Sequence, residues 1–184
     1  GPRMTEGKEM SPRRIYVLTL AIAVAAASAV CLYHGLRTGK DSVLGLTAQA
    51  EKYFGVESAE LVLAQKRGDY MAALLRNADG SPFMALYQRD TLFRDRWQAV
   101  GGTSSFAPGT MDSWNYGDPK GNAVLIFSGL ELPTEAKWYT FTNSGTEYLR
   151  PVSSDRVLDL FVIGGADDIS GVPVLLDENR QELK

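Results

Sequence analysis

Aromatic and amide side chains stand side by side in one segment rich in Gly, Ser and Pro, residues 101–121. Trp114, Asn115 and Tyr116 are consecutive there, and flat rings beside an amide offer contact area and hydrogen bonds to a sugar or a peptide. Because long loops of compact domains often carry function, the segment is predicted to be a long binding loop. The structural alternative is that Trp114 fills the core and Asn115 shapes a turn.

A second candidate binding site lies just upstream, where Arg96 precedes Trp97 in a stretch of alternating charges. A guanidinium beside an indole could bind an anionic group, so both residues are predicted to contact a ligand. The alternative is a ladder of surface ion pairs, which contributes little to binding or stability.

The chain lacks the residues that most catalytic sites need. Its single histidine, His34, follows directly after an apolar run, which argues against a histidine-dependent triad, an imidazole zinc site or a haem site in the remainder of the chain. No phosphate-binding loop or dinucleotide fingerprint is present, and Asp167 and Asp168 lack the spacing of a calcium loop. We therefore predict no catalytic residue, no metal site and no cofactor.

One enzymatic alternative remains compatible with this composition. An envelope hydrolase that works without histidine could use Ser104 or Ser105 with Lys120, or an Asp-based site. A Ser–Lys pair of this kind is a pattern of low specificity.

Charge divides the chain into two parts. Residues 1–40 hold six Lys or Arg against two Asp or Glu, a net charge of +4, and the remainder carries −7 to give the total of −3. Nucleic-acid affinity depends on basic side chains that neutralise phosphates. Nucleic acid is therefore not an expected partner.

The apolar run is predicted to be a single transmembrane helix over residues 15–34. It has no charged residue between Ile15 and Tyr33, and roughly 20 apolar residues cross the hydrocarbon core as a helix. Arg13 and Arg14 precede it, so the positive-inside rule puts the N-terminus in the cytoplasm of a single-pass cell-membrane protein. Residues 1–14 form the basic tail, in which residues 1–3 resemble a cloning remnant. A linker, residues 35–41, leads from the helix to an extracytoplasmic domain, residues 42–184.

Three other interpretations of the apolar run were weighed. A cleaved signal peptide would use the small residues at 25–29, but the run continues beyond them. A lipoprotein would be acylated at Cys31, but Val30 before it is bulky. A buried core helix is disfavoured because the run is apolar on every side.

Cys31 is also the only cysteine of the chain, so no intramolecular disulfide can form. An extracytoplasmic domain without disulfides is compatible with a bacterial envelope.

Beyond the linker, the pattern predicts one helix and then strands. Residues 42–54 have amphipathic spacing, with Ser42 or Asp41 as the N-cap and Gly55 as the stop. Short segments between turn residues are predicted strands: 59–66, 70–77, 83–88, 94–100, 123–128, 136–142, 146–149 and 157–163. The predicted fold class is α+β, with an N-terminal transmembrane helix followed by a short helix packed on a mainly antiparallel β-sheet.

Together these features predict a membrane-anchored extracytoplasmic binding or interaction domain without evident catalytic machinery. Its partners would be the membrane, through residues 15–34, and a protein or an envelope glycan, and it would act as a subunit or regulator of an envelope complex.

Overall fold

A computed structural model describes residues 10–164 and 172–184 of the protein. The chain divides into two compact units, Gly1–Arg37 and Thr38–Lys184, which are taken one at a time. The first unit contains one long helix, α1 (Pro12–Arg37), with no buried residue. Proline is favoured as the first residue of a helix, because the N–H that it lacks would have no helical partner there.

The length and composition of α1 are sufficient for a membrane crossing, in agreement with the predicted span. A polar side chain inside it hydrogen-bonds to the backbone of the same helix: the Thr19 hydroxyl donates to the Ile15 carbonyl oxygen at 2.9 Å. None of its residues is buried, so α1 is not a core helix of the described protein.

The second unit begins with a two-residue strand, β1 (Gly39–Lys40), and a helix, α2 (Val43–Phe54). The predicted ends of α2 are confirmed. The Ser42 hydroxyl oxygen accepts a hydrogen bond from the Gly45 N–H at 3.0 Å, and Gly55 ends the helix in the left-handed conformation with φ 65°. Residues 35–41, expected as a linker, contain the end of α1 and all of β1.

The rest of the described chain forms strands in antiparallel pairs: β2 (Glu60–Arg67), β3 (Tyr70–Arg76), β4 (Pro82–Arg89), β5 (Arg96–Thr103), β6 (Met111–Gly117), β7 (Asn122–Gly129), β8 (Trp138–Asn143), β9 (Thr146–Pro151), β10 (Val157–Gly164) and β11 (Val174–Leu176). They form three sheets. The first has the order β1-β5-β4-β3-β2, the second β10-β7-β6 and the third β11-β8-β9. The predicted α+β class with mainly antiparallel pairing is therefore confirmed.

Three apolar clusters join α2 and the three sheets into successive layers. The first cluster lies between α2 and the first sheet, the second between the first and second sheets, and the third between the second and third sheets. Strand β3 shows the consequence, since Met71 faces α2 while Ala72 faces the second sheet, and both are fully buried. Apolar residues on both faces explain why β3 reads as a continuous apolar run.

The prediction of a long loop over residues 101–121 is wrong, because strand β6 lies within this segment. Strand β6 pairs with β7 in the register Trp114 with Ile126 and Asn115 with Leu125. Its ring-bearing residues alternate with polar ones, which is a strand pattern. The Gly, Ser and Pro residues on both sides of it obscured that short alternation, and they form the turns that flank the strand.

Candidate functional site

Arg96 and Trp97 do not form a shared binding surface. They are consecutive in β5, and successive side chains of a strand point to opposite faces. The Arg96 guanidinium donates to Thr38 from two nitrogens, Nε to the hydroxyl oxygen and Nη2 to the carbonyl oxygen, both at 2.7 Å. Trp97 is fully buried in the cluster beneath α2, so its ring contacts the core and not a ligand in solvent.

The neighbouring charges form the ion-pair network that was the alternative interpretation. One carboxylate oxygen of Asp69 lies 2.7 Å from an Arg94 nitrogen and 3.4 Å from Arg89 Nε. The Arg89 guanidinium also lies over the Trp97 ring, 4.4 Å from its centre. These contacts join the β2–β3 turn to the β4–β5 turn and cover the buried indole.

Trp114 and Tyr116 lie on one face of β6, and Asn115 lies on the other. The two rings stack with centres 6.1 Å apart, and Tyr116 meets the ring of Tyr70 edge-on at 6.3 Å. Both β6 rings are half-buried in the cluster between the first and second sheets, whereas Asn115 is exposed. A ligand therefore cannot contact all three side chains on one face of the strand, and their predicted binding role stays a prediction.

The row of rings ends at a cleft lined mainly by polar residues, which we call the Tyr70 cleft. It has a volume of about 270 Å³, close to the lower limit for sites that hold small ligands. Its lining comes from the β2–β3 turn, the β6–β7 turn and nearby strand ends: Arg67, Gly68, Asp69, Tyr70, Gln88, Asp118, Pro119, Lys120, Asn122 and Val162. The cleft thus lies where the first two sheets meet at one end.

One of the residues that line this cleft is a hydrogen-bonded carboxylate, Asp118. Asp118 Oδ2 accepts from the Tyr70 hydroxyl at 2.8 Å and from the Asn122 side-chain amide at 3.0 Å. Asp118 Oδ1 accepts from the backbone N–H groups of Lys120 at 2.9 Å and Asn122 at 2.8 Å. Desolvation acts to raise the pKa of Asp118, but these hydrogen bonds together outweigh it and lower that pKa.

The phenol of Tyr70 is held in its neutral form. Burial raises its pKa above the ordinary value, and the hydrogen bond to the Asp118 carboxylate raises it further. Near neutral pH, Asp118 is therefore ionised and Tyr70 protonated, and neither is suited to exchange a proton with a substrate. These protonation states suit the pair to shape the cleft and to bind through it.

The mouth of the cleft offers donors to a ligand. Arg67 and Lys120 are exposed, and neither forms an ion pair within the described part of the chain. Gln88, which pairs with Tyr70 across β3 and β4, adds a neutral donor and acceptor to the lining. Asp69 and Asp118 also line the cleft, but Asp69 is paired with Arg89 and Arg94, and Asp118 already accepts four hydrogen bonds. The two cations and the amide therefore suit an anionic or hydroxyl-rich group.

The predicted Ser–Lys alternative is not assembled by the fold. Ser104 follows β5 next to Asn77, whose amide donates to the Ser104 carbonyl oxygen at 3.3 Å, while Lys120 lines the Tyr70 cleft. Ser104 is near the Pro82 end of β4, and Lys120 is near its Gln88 end. The length of this strand puts the two ends about 20 Å apart.

No cluster of metal-binding side chains occurs over residues 10–164 and 172–184. Asp167 and Asp168, which were considered as calcium ligands, lie outside the described residues.

Sequence reasoning did not identify the Tyr70 cleft. Asp118 begins a recognisable Asp-Pro-Lys-Gly turn, but its partner Tyr70 is 48 positions away, and no local pattern connects them. Comparison with protein-family models, curated proteins and solved structures gives no match to this chain. The fold and cleft define the class of protein as an α+β domain that follows a helix able to span a membrane.

Proposed function

We propose that this protein is a single-pass membrane-anchored binding protein whose C-terminal domain lies outside the cytoplasm. The observation that carries the proposal is α1, which has no charged residue from 15 to 33, has no buried residue and is about 39 Å long at 1.5 Å per residue. Such a helix exposes apolar surface that a bilayer would cover.

The charges that flank α1 support the proposed orientation. Arg13 and Arg14 lie in its first turn, and residues 1–14 hold four Lys or Arg, whereas only Arg37 and Lys40 follow the apolar run before residue 41. Basic side chains next to a span are retained on the cytoplasmic side. The domain that begins at Thr38 would then be extracytoplasmic.

The Tyr70 cleft supports a binding function rather than a catalytic one. Asp118 is ionised and its oxygens already accept four hydrogen bonds, so it has little capacity to act as a base. Arg67 and Lys120 are exposed cations of the cleft, and we call them its cationic mouth. We propose that it receives an anionic or hydroxyl-rich group of a protein or an envelope glycan, and that the protein serves a complex in the envelope.

Cysteine labelling in intact cells tests the anchor and its orientation. Cys31→Ser gives a full chain without cysteine, to which Ser11→Cys or Ser105→Cys adds one exposed thiol. A membrane-impermeant maleimide is expected to label position 105 in intact cells, and position 11 only after permeabilisation. The reverse pattern would show the opposite orientation, and release of the protein by alkaline carbonate would contradict the anchor.

Site-specific photo-cross-linking tests the cleft as the binding site. A benzophenone amino acid at Gln88 in the full chain is expected to give one dominant adduct in cells, and Arg67→Glu with Lys120→Glu should abolish it. Lys184→Glu, which reverses an exposed charge away from the cleft, is the matched control. An adduct that persists in the double variant would exclude the cationic mouth as the contact.

A further inference from the structure

The largest exposed apolar side chains of the domain are unevenly distributed. Among the described residues from Thr38 onward, six large apolar side chains are exposed, and three of them lie at one end of the first sheet: Val43 at 64%, Leu44 at 81% and Leu92 at 48%. Val43 and Leu44 begin α2, and Leu92 lies in the β4–β5 turn. We call these three side chains the apolar rim.

Backbone pairing brings both parts of the rim to the end of the domain where the chain comes from α1. Strand β1 pairs Lys40 with Arg96, and the Asp41 N–H donates to the Asp95 carbonyl oxygen at 3.1 Å. Residues 38–44 and 90–96 are therefore neighbours, and we call them together the proximal end. An exposed leucine alone is ordinary, but three large apolar side chains at one end of a domain indicate a contact surface.

The covalent chain limits how far the rim can be from a membrane. Only residues 38–42 separate the end of α1 at Arg37 from Val43, which permits a distance of at most about 20 Å at full extension. If α1 spans the bilayer, Arg37 lies at the level of the headgroups, because residues 15–33 already cover the hydrocarbon core. The bilayer surface is thus within reach of the rim.

Charge also distinguishes this end from the rest of the domain. Residues 41–184 carry −7, so an anionic membrane surface would repel most of the domain. The proximal end holds equal numbers of basic and acidic side chains: Lys40, Arg94 and Arg96 with Asp41, Asp90 and Asp95. A neutral end with exposed apolar side chains can approach the interface without net electrostatic repulsion, and the apolar area that it buries there favours the contact.

We infer that the apolar rim inserts into the interfacial layer of the bilayer, so that the domain is docked on the membrane by its proximal end and does not move freely on a tether. The inference rests on the proposed anchor. Because the contact is apolar, it should be equally deep in neutral and in anionic membranes and should resist high salt. The Tyr70 cleft, whose Asp69 belongs to the same charge network as Arg94, would then open close to the membrane surface.

Depth-dependent fluorescence quenching in proteoliposomes tests this docking. The full chain with Cys31→Ser receives one cysteine for an environment-sensitive dye, at Val24 in α1, at Leu44 in the rim or at Tyr148, which is 42% exposed in the third sheet. The vesicles are phosphatidylcholine with or without phosphatidylglycerol and contain nitroxide lipids of shallow or deep label position. Deep quenching at position 24, shallow quenching at 44 and none at 148 is the expected result.

The outcomes separate this inference from the proposed anchor. Quenching at position 24 without quenching at 44 overturns the docking and leaves the anchor intact, and equal quenching at 44 and 148 also overturns it. Absence of quenching at 24 overturns the anchor and the docking together.

A second set of variants tests the rim without relying on a dye at position 44. With the dye at Leu92→Cys, Val43→Asp with Leu44→Asp should reduce the shallow quenching by at least half. Tyr148→Asp with Val172→Asp, which places the same charges on exposed apolar positions elsewhere, should leave it unchanged. Equal quenching in both double variants would overturn the docking.

Discussion

The Tyr70 hydroxyl donates a hydrogen bond of 2.8 Å to Asp118, and the two residues belong to different sheets. Tyr70 opens β3 in the first sheet, and Asp118 follows β6 in the second. This bond links the two sheets, and both residues line the candidate binding cleft. Stability experiments can follow the domain alone, because all three tryptophans lie beyond Thr38 and none lies in α1.

Asp118→Asn is expected to destabilise the domain most at neutral pH and progressively less as the pH falls below about 4. The folded state lowers the pKa of Asp118 below its ordinary 3.8, so its contribution is fully present above about pH 4 and is lost as the pH falls through the lowered value. Urea denaturation of the full chain in detergent, followed by tryptophan fluorescence at several pH values from 7 down to about 2, measures the difference from wild type. A difference that stays constant over this range would contradict the assignment, and Glu135→Gln, an exposed acid, serves as the control.

Tyr87→Phe is expected to loosen α2 from the first sheet. The fully buried Tyr87 hydroxyl donates to the Leu46 carbonyl oxygen at 2.8 Å, and its removal should lower the free energy of unfolding by about 0.5–1.5 kcal/mol. Urea denaturation measures the change. Tyr148→Phe removes a hydroxyl from an exposed ring and should have no comparable effect. Equal effects of the two substitutions would contradict the role given to the buried bond.

Trp97→Ala distinguishes a core residue from a ligand-binding one. Because Trp97 is fully buried, its truncation should cost about 3–5 kcal/mol of folding stability. Trp138→Ala should cost less, because that ring is half-buried. Normal stability of Trp97→Ala together with loss of partner cross-linking would instead restore the ligand-binding prediction.

Gly101→Ala should displace the indole of Trp114. A Cβ atom at this position would lie 1.9 Å from Trp114 Cη2 and 2.4 Å from Cζ2, so the ring must move. The expected cost is about 1–3 kcal/mol, with a change in tryptophan emission. Gly117→Ala in the next strand has open space around its Cβ position and should be neutral.

A double variant tests the cause of the Gly101 effect. Trp114→Leu removes the atoms that the new methyl group would strike, so Gly101→Ala should cost much less in that background. If the two costs simply add, the strain has another origin.

Local patterns were sufficient wherever a structural element depends on its own residues. The ends of α2 followed from Ser42 and Gly55, because capping is a contact within one turn of helix. The apolar length of α1 likewise followed from composition, since every residue of a span faces the same kind of environment. Strand β6 was missed because its alternation is only a few residues long and turn-forming residues surround it.

The binding candidates show where local reasoning fails. Trp97 and Trp114 both have polar neighbours in the sequence. In the structure, however, Trp97 is fully buried and Trp114 is half-buried. The burial of each tryptophan depends on which layers cover the two faces of its strand. Strand β5 has α2 over one face, and β6 is the edge of its sheet.

The sequence by itself determined the apolar span, the charge division, the α+β class and the ends of α2, because each depends on neighbouring residues or on composition. Only the tertiary structure decided that Arg96 bonds Thr38, that Asn115 faces away from Trp114 and that Tyr70 meets Asp118. The physical reason is that sheet packing joins residues far apart in the chain. Their contacts are fixed by which faces of the sheets are covered, and no local pattern records that choice.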